Sequence, residues 1–338
     1  MVATRCFTYN HASYIEDTLK GFAKQKVSFP AVFIIVDDAS TDGEQDVLRR
    51  WAAENIGRSD NVCLWDEKPY GFLAEAPLKR NPNSLFVILL LKENHYQTGR
   101  SLKRLDYISE WYDCSKYHAL CEGDDYWTDP LKLQKQVEFL EQNLDYGLVH
   151  SLFEYVNTKS EIIPPPDNKL YKDMSNRIRD GYIWHYQLTE LNFILTCTVL
   201  YRSELLTGEK ILLDYGRYAM LARQQKVYCH REKMACYRIN PNSMMRTQIN
   251  VVDKKVAEAR LRNVYYYATK RYPINEFYYK NKEVKRTITR ATLMCLRGAK
   301  YIDVPEKWRM FLTILFGIPS NFRFFVPELF DVIKRKII

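Results

Sequence analysis

The chain has 338 residues, of which 46% are hydrophobic and 27% are charged, and its formal net charge is +9. This composition excludes a disordered protein and is sufficient for one large domain or for one domain with appendages. The positive charge favours an anionic partner such as a phosphorylated ligand, nucleic acid or an acidic membrane face, although a solvated basic surface explains it equally well.

Strands and helices alternate through the first half of the chain. Apolar runs predict buried strands over residues 31–36 and 85–91, and short strands are predicted over residues 2–8 and 117–120. Helical spacing of apolar residues predicts helices over residues 14–25, 44–54 and 102–112. This alternation predicts an α/β fold with a mostly parallel sheet flanked by helices.

Polar residues follow the first two predicted strands. Thr8, Tyr9 and Asn10 end the first strand, and they either line a nucleotide pocket or form a loop that begins a helix. Asp37 and Asp38 end the second strand in VDDASTDG. Such an acidic pair can accept hydrogen bonds from a base or a ribose, but it is also typical of a turn rich in capping residues.

Three carboxylates crowd the end of the strand at 117–120. Glu122, Asp124 and Asp125 surround Gly123 in CEGDDYW, and like charges at this spacing repel one another. A divalent cation would remove the repulsion, because Mg²⁺ and Mn²⁺ prefer carboxylate oxygens. The alternative is a solvated acidic turn that precedes a helix.

The stretch after the carboxylates predicts that helix. Asp129 can cap it and Pro130 suits its first turn. A buried stripe is predicted at Leu133, Val137, Leu140 and Leu144. The carboxylates then lie in the loop after a strand, where open α/β sheets bind their ligands.

The second half of the chain is less regular. Residues 162–169 are predicted as a loop, 194–202 as a strand, 214–225 as a helix and 234–239 as a strand. From about residue 250 the chain becomes helical, basic and tyrosine-rich, so we expect a domain over 1–248 and a helical region over 249–338. The end of that region, from Trp308, is either an in-plane membrane anchor with a basic flank or a helix pair that packs on the main domain.

Other functional classes find little support. The eight cysteines form no CxxC pair, which argues against zinc and for buried thiols at Cys6, Cys121, Cys197 and Cys236 in a reducing compartment. The chain has no GxxxxGK[ST], GxGxxG, HExxH or GxSxG motif. No signal peptide and no uncharged run long enough to span a membrane is visible, so we expect a cytoplasmic protein.

Three stretches, taken in order, resemble the family-2 glycosyltransferases of the GT-A fold, within about residues 2–245. They are TYNHASYIEDTL, AVFIIVDDASTDG and CEGDDYWTDPLKLQKQVEFL, the last being similar to the family's DxD metal motif. The nearest subgroup is the bacterial enzymes that build surface polysaccharide. The resemblance implies a Rossmann-like nucleotide-diphospho-sugar transferase that uses Mn²⁺ or Mg²⁺ and inverts the anomeric centre.

The resemblance also implies partners. The donor would be a nucleotide sugar, with a UDP-sugar favoured, and the acceptor would be a hydroxyl of a glycan or of a lipid-linked molecule. Nucleic acid is not expected, because three adjacent tyrosines at 265–267 cannot share one helix face. The region 249–338 would then meet an anionic membrane surface, as a peripheral contact at the inner face of the cell membrane.

The same resemblance implies roles for individual residues. Asp38 would bind the base, while Thr8, Tyr9 and Asn10 would line the nucleotide pocket. Glu122 would reach the ribose or a metal-bound water, Asp124 would ligate the metal, and Asp125 would lie near the donor sugar. Asp214, ahead of a predicted helix, would be the general base, although it also suits a helix cap.

Two positions depart from the family pattern. Glu122 stands where Asp is usual, and Asn240 in YRIN stands where His is frequent. A catalytically weakened sugar-nucleotide-binding protein therefore stays open as an alternative, and so does a nucleotidyltransferase, which would act on a nucleoside triphosphate.

Overall fold

The computed structural model describes residues 1–57, 65–165, 182–183, 194–209, 214–240, 275–278 and 281–282. Contacts group the chain into two units. The first comprises Met1–Gly181, Ile194–Leu212 and Tyr228–Asn240, and the second comprises Tyr182–Phe193, Leu213–Val227 and Pro241–Ile338. The division at 248/249 expected from the sequence stays a prediction.

The described strands are β1 (Val2–Thr8), β2 (Ala31–Asp37), β3 (Asp66–Lys68), β4 (Gly71–Leu78), β5 (Asn81–Leu91), β6 (Tyr117–Leu120), β7 (Tyr126–Trp127), β8 (Tyr146–Val156), β9 (Ile162–Ile163), β10 (Tyr182–Ile183), β11 (Leu200–Arg202) and β12 (Lys226–Arg238). The described helices are α1 (Ile15–Ala23), α2 (Glu44–Asn55), α3 (Lys103–Tyr107), α4 (Ser109–Tyr112), α5 (Lys132–Gln142) and α6 (Asp214–Gln224).

Four parallel strands form the centre of the sheet in the order β5-β2-β1-β6. Every residue of β1 and β2 is buried, as expected for strands covered by helices on both faces. Antiparallel strands flank this centre, with β4 and β3 beyond β5, and β11 and β8 beyond β6. β12 lies next to β8. The predicted α/β fold with a mostly parallel central sheet is confirmed.

The core lies on both faces of this sheet. On one face, the rings of Phe22, Phe33 and Phe86 stack in succession, and the edge of Trp127 meets Phe22 at a centroid distance of 4.8 Å. The cysteines at 6, 121, 197 and 236 are buried free thiols, as the apolar runs around them predict. Burying large aromatic side chains supplies much of the hydrophobic stabilisation of such a sheet.

Three local predictions need correction. The helix predicted over 102–112 is two short helices, because the backbone at Ile108 leaves helical geometry with φ −112° and ψ 2°. The strand predicted over 194–202 is a 3₁₀ turn at Thr196–Thr198 followed by the short β11. Leu144 is 70% exposed rather than part of the buried stripe, since α5 ends at Gln142.

The second unit contains β10 and α6 in its described part. Asn275 closes the carboxyl end of α6, because its backbone N–H donates to the carbonyl of Arg223 and its side-chain amide donates to the carbonyl of Gln224. Apart from residues 275–278 and 281–282, the region 249–338 lies outside the described residues, and so does its predicted contact with a membrane. None of the helices that the structure describes is long and apolar enough to span a bilayer.

Candidate active site

The carboxyl ends of the parallel strands bring the three polar stretches together. The backbone N–H of Asp38 donates to the carbonyl of Thr8 over 3.0 Å, which joins the loops after β2 and β1. The N–H of Gly123 donates to the carbonyl of Phe7 over 3.3 Å, which joins the loop after β6 to the same strand end. The edge predicted from the sequence therefore exists as one continuous surface of loops.

Gly123 allows the acidic loop to pack directly on the end of β1. A Cβ at this position would lie 2.0 Å from Oγ1 of Thr8 and 2.5 Å from its Cβ. Both distances are far below any van der Waals contact, so only glycine permits this approach. The close packing of the loop on β1 thus explains why a glycine stands between the carboxylates in this stretch.

Glu44, at the start of α2, is a buried centre of hydrogen bonds. Its Oε1 accepts from the hydroxyl of Thr8 over 2.5 Å, and its Oε2 accepts from the backbone N–H of His11 and the hydroxyl of Ser40, each over 2.8 Å. Burial raises the pKa of this carboxyl group, while the hydrogen bond from Thr8 opposes the rise. Glu44 therefore holds the loops after β1 and β2 in one arrangement.

Asn10 joins the same two loops at the surface. It has a left-handed backbone with φ 57°, a conformation that asparagine tolerates better than most residues. Its Oδ1 accepts from the N–H of Thr41 over 2.8 Å, and its own N–H donates to Oγ of Ser40 over 2.8 Å. Beside it, Tyr9 is half-buried.

Asp38 is enclosed by protein groups. It is 1% exposed, and its oxygens accept from the backbone N–H groups of His95 and Tyr96 over 2.8 and 3.0 Å and from Nη1 of Arg104 over 3.1 Å. Burial lowers the pKa of Arg104, and the nearby negative charge of Asp38 offsets part of this decrease. Asp38 thus anchors the loop after β5, and its contact with a base stays a prediction.

Asp125 is also enclosed, with 2% exposure. Its Oδ1 accepts from the backbone N–H of Arg238 over 2.8 Å. Burial raises the pKa of its carboxyl group well above the usual range, and the neighbouring charge of Asp124 adds to the rise. The structure therefore gives Asp125 a protein partner at the end of β12, and its predicted place near the donor sugar stays a prediction.

Arg238 is a residue that the sequence analysis missed. Its guanidinium group donates to the carbonyl of Asp124 over 2.8 Å, to Oδ2 of Asp17 over 3.0 Å and to the carbonyl of Asn157 over 3.0 Å. It is 2% exposed. An arginine at the end of the apolar run MACYR was the available signal, since a buried guanidinium group requires partners.

Glu122 and Asp124 differ from Asp125 in being half-buried, with the side chain of Asp124 18% exposed. Nε2 of His11 lies 3.8 Å from Oδ2 of Asp124. In the described residues, no three His, Cys, Asp or Glu side chains form a ready metal cluster. This oxygen-rich donor set still suits Mg²⁺ or Mn²⁺, because such ions are often held by one or two carboxylates together with water and substrate phosphates.

Asp214 and Asn240 lie in different units. Asp214 begins α6 in the second unit, and its Oδ1 accepts from Nη1 of Arg217 over 2.9 Å. Asn240 follows β12 in the first unit, where its N–H donates to the carbonyl of Arg238 over 3.1 Å. The role of Asp214 as the general base stays a prediction.

The fold is that of the GT-A glycosyltransferases. A structure of S. aureus TarS 1-349 in complex with UDP-GlcNAc matches 96% of this chain and 89% of its own, with 13% identity and a TM-score of 0.52. The mannosyltransferase PcManGT from Pyrobaculum calidifontis, in complex with GDP-Man and Mn²⁺, matches 98% of this chain and 84% of its own, with 13% identity and a TM-score of 0.47. At such identities the likeness is one of fold.

Relatives in sequence cover part of the chain. An uncharacterized protein of Mycobacterium tuberculosis (strain ATCC 25618 / H37Rv) is 31% identical over 201 residues, which are 58% of this chain and 45% of that protein. The "Putative teichuronic acid biosynthesis glycosyltransferase TuaG" of Bacillus subtilis (strain 168) is 30% identical over 104 residues, 30% of this chain and 40% of its own. The chain thus spans less than half the length of these curated relatives, and no protein-family model matches it.

Proposed function

We propose that the chain is a metal-dependent, inverting glycosyltransferase of the family-2 type. It moves a sugar from a nucleotide-diphosphate donor to a hydroxyl of a glycan or of a lipid-linked acceptor. The observation that carries this proposal is the meeting of the half-buried Glu122 and Asp124 with the ends of β1 and β2 on one edge of a GT-A sheet. This is the edge at which open α/β sheets bind nucleotides.

The proposed donor and the proposed pathway are supported by the similar proteins. TarS binds UDP-GlcNAc in its structure, which favours a UDP-sugar as donor. The name of TuaG refers to teichuronic acid biosynthesis, which favours a role in bacterial surface polysaccharide. The basic region 249–338 would bring the enzyme to an anionic membrane surface, where lipid-linked acceptors lie.

Asp124 would hold Mn²⁺ or Mg²⁺, and Glu122 would reach the ribose or a metal-bound water. When bound, the cation supplies Lewis-acid stabilisation of the negative charge on the leaving diphosphate. Arg238 keeps the backbone of this loop in place through the carbonyl of Asp124. Glu44 and Asn10 keep the loops after β1 and β2 in register for the nucleotide.

Asp214 would accept the proton of the acceptor hydroxyl as the general base. The hydroxyl oxygen then attacks the anomeric carbon from the face opposite the diphosphate, which inverts that centre. Holding donor and acceptor in line supplies a large part of the rate enhancement of such transfers.

The test is a panel of UDP-, GDP- and dTDP-sugars with the full chain, each with Mn²⁺ and with EDTA. Binding is followed by thermal shift and calorimetry, and turnover by nucleoside-diphosphate release. We expect metal-dependent binding and slow donor hydrolysis with a UDP-sugar. Release of pyrophosphate from a nucleoside triphosphate would instead identify a nucleotidyltransferase, and tight binding without turnover towards any supplied acceptor would identify a binding protein.

Three variants separate the roles. Asp124→Asn should lose metal-dependent donor binding, because an amide oxygen carries no charge for the cation. Asp214→Asn should lose transfer by about 10²- to 10⁴-fold while keeping donor binding, the range associated with a general base. Asp113→Asn, at an exposed position, is the matched control and should change neither. Transfer at the normal rate in Asp214→Asn would remove the base assignment.

A further inference from the structure

His11 lies in the candidate active site, between the acidic loop and Thr8. It follows Asn10 in the loop after β1, and its side chain is 19% exposed beside the side chain of Asp124, which is 18% exposed. Its Nε2 lies 3.8 Å from Oδ2 of Asp124, while its Nδ1 lies 3.0 Å from Oγ1 of Thr8. The ring therefore connects the acidic loop to the buried carboxylate of Glu44 through one hydroxyl group.

The hydrogen bonds assign the tautomer of this ring. The hydroxyl of Thr8 has one proton, and it donates that proton to Oε1 of Glu44. When Glu44 accepts this proton as a carboxylate, the same oxygen accepts from His11, so Nδ1 carries the hydrogen. In the neutral ring, the lone pair of Nε2 therefore faces the carboxylate of Asp124.

A proton on Nε2 would turn this contact into an ion pair, and a metal cation between the two atoms would satisfy both lone pairs. We propose that His11 Nε2 and Asp124 Oδ2 ligate the same divalent cation, and that this nitrogen ligand makes the site prefer Mn²⁺ to Mg²⁺. The proposal rests on the proposed function, since the cation is the one that serves the donor diphosphate. It adds to that function the second protein ligand and the identity of the metal.

The distance is compatible with one ion. Two ligands at about 2.1 Å from an octahedral metal lie about 3.0 Å apart in adjacent positions and about 4.2 Å apart in opposite positions. The observed 3.8 Å falls between these limits, so a side-chain adjustment below 1 Å is enough for either arrangement.

The surroundings of His11 match those of a metal ligand. A ligating histidine usually donates its other ring N–H to an acceptor that fixes the ring, and here Thr8 and then Glu44 serve in that place. The backbone N–H of His11 also donates to Glu44, so the residue is held at two points. Mn²⁺ and Mg²⁺ both bind carboxylate oxygens, but Mg²⁺ gives up its water ligands reluctantly, whereas the transition metal Mn²⁺ exchanges one of them for an imidazole nitrogen more readily. This difference gives the preference for Mn²⁺.

The experiment is pulsed electron paramagnetic resonance of Mn²⁺ bound to the full chain, with and without UDP. A directly bonded imidazole gives a nitrogen coupling to the Mn²⁺ electron spin. We expect this coupling in the wild type and its loss in His11→Gln, which keeps a hydrogen-bonding side chain. His230→Gln is the matched control, because His230 lies on β12 among the rings of Phe139 and Tyr228 and should leave the coupling intact.

Titration calorimetry gives the second measurement. His11→Gln should weaken Mn²⁺ binding at least about tenfold, the size of effect known for metal-site partners, and should change Mg²⁺ binding less than about threefold. Mn²⁺ binding without nitrogen coupling in the wild type would overturn the inference and leave the proposed glycosyltransferase intact. Nitrogen coupling without donor turnover would support the ligand and count against the transferase. Absence of Mn²⁺ binding with UDP present would overturn both.

Discussion

Gly123→Ala tests whether close packing of the acidic loop on β1 builds the site. The added methyl group would lie 2.0 Å from Oγ1 and 2.5 Å from Cβ of Thr8. Thr8 cannot simply turn away, because its hydroxyl is bound to Glu44 over 2.5 Å and to His11 over 3.0 Å. Either the hydrogen bonds of Thr8 break or the loop carrying the carboxylates moves outward.

Each response has a known order of magnitude. Losing a hydrogen bond to the buried carboxylate of Glu44 costs about 1.5–3 kcal/mol. Moving the loop to relieve an overpacked contact costs about 1–3 kcal/mol. The protein takes the less costly response, so we expect the free energy of unfolding to fall by about 2 kcal/mol. A shift of the carboxylates by about 1 Å should also reduce the proposed sugar transfer by roughly 10²-fold.

Chemical denaturation followed by tryptophan fluorescence measures the first effect, and metal-dependent donor binding measures the second. Thr8→Gly removes the two nearest of the three atoms that the methyl group meets and leaves Nδ1 of His11 at 3.0 Å, so Gly123→Ala should cost much less stability in that background. Gly208→Ala, in open space at φ 77°, introduces backbone strain, which Gly123→Ala does not, and no close contact, so it should leave donor binding unchanged. An equal cost of Gly123→Ala in both backgrounds would refute the packing explanation.

Two further predictions concern buried cations. Arg238→Met should lower the free energy of unfolding by roughly 3 kcal/mol in chemical denaturation, because the carbonyl of Asp124 and the carboxylate of Asp17 lose the buried guanidinium group that donates to them. Arg231→Met, exposed on the same strand, is the control, and an equal loss in both variants would contradict the role of Arg238. Lys132 is fully buried, and burial lowers its pKa to about 7, whereas the amine of the unfolded chain titrates near 10.5. The unfolded state therefore binds more protons across this window, and stability rises with pH by about 2 kcal/mol between pH 7 and pH 9. Lys132→Met should lack this rise in denaturation curves, and parallel pH profiles of the two proteins would exclude the assignment.

The centre of the fold was predictable because its signals are local. Continuous apolar runs mark β2 and the second half of β5, and helical spacing marks α1 and α2 close to their observed ends. The hairpin of β3 and β4 was not predicted, because it lies at the sheet edge, where Pro77 is tolerated and the apolar pattern is weak. The 3₁₀ turn at Thr196–Thr198 was not predicted, because an apolar, β-branched run is typical of a strand and the sequence pattern does not distinguish the two.

The location of the candidate site was predictable from the sequence, but most of the hydrogen bonds that hold its loops together were not. Strand ends and acidic turns located the loops, since parallel strands end at one edge of a sheet. The side chains that hold those loops together act across long separations. Glu44 reaches Thr8 over 36 positions in sequence, and Arg238 reaches Asp125 over 113. No local pattern encodes such pairs, so their roles appear only when the chain is folded.

The crowded carboxylates at Glu122, Asp124 and Asp125 are not three equal charges. Asp125 is buried against the backbone of Arg238, and its raised pKa favours the neutral form, which removes part of the repulsion. The guanidinium group of Arg238 lies against the carbonyl of Asp124 and offsets more of it. Glu122 and Asp124 remain half-buried at the carboxyl edge of the sheet. A loop that only began a helix would gain nothing from this separation, whereas the proposed cation site requires a carboxylate that a metal can reach, and the half-buried Asp124 provides one.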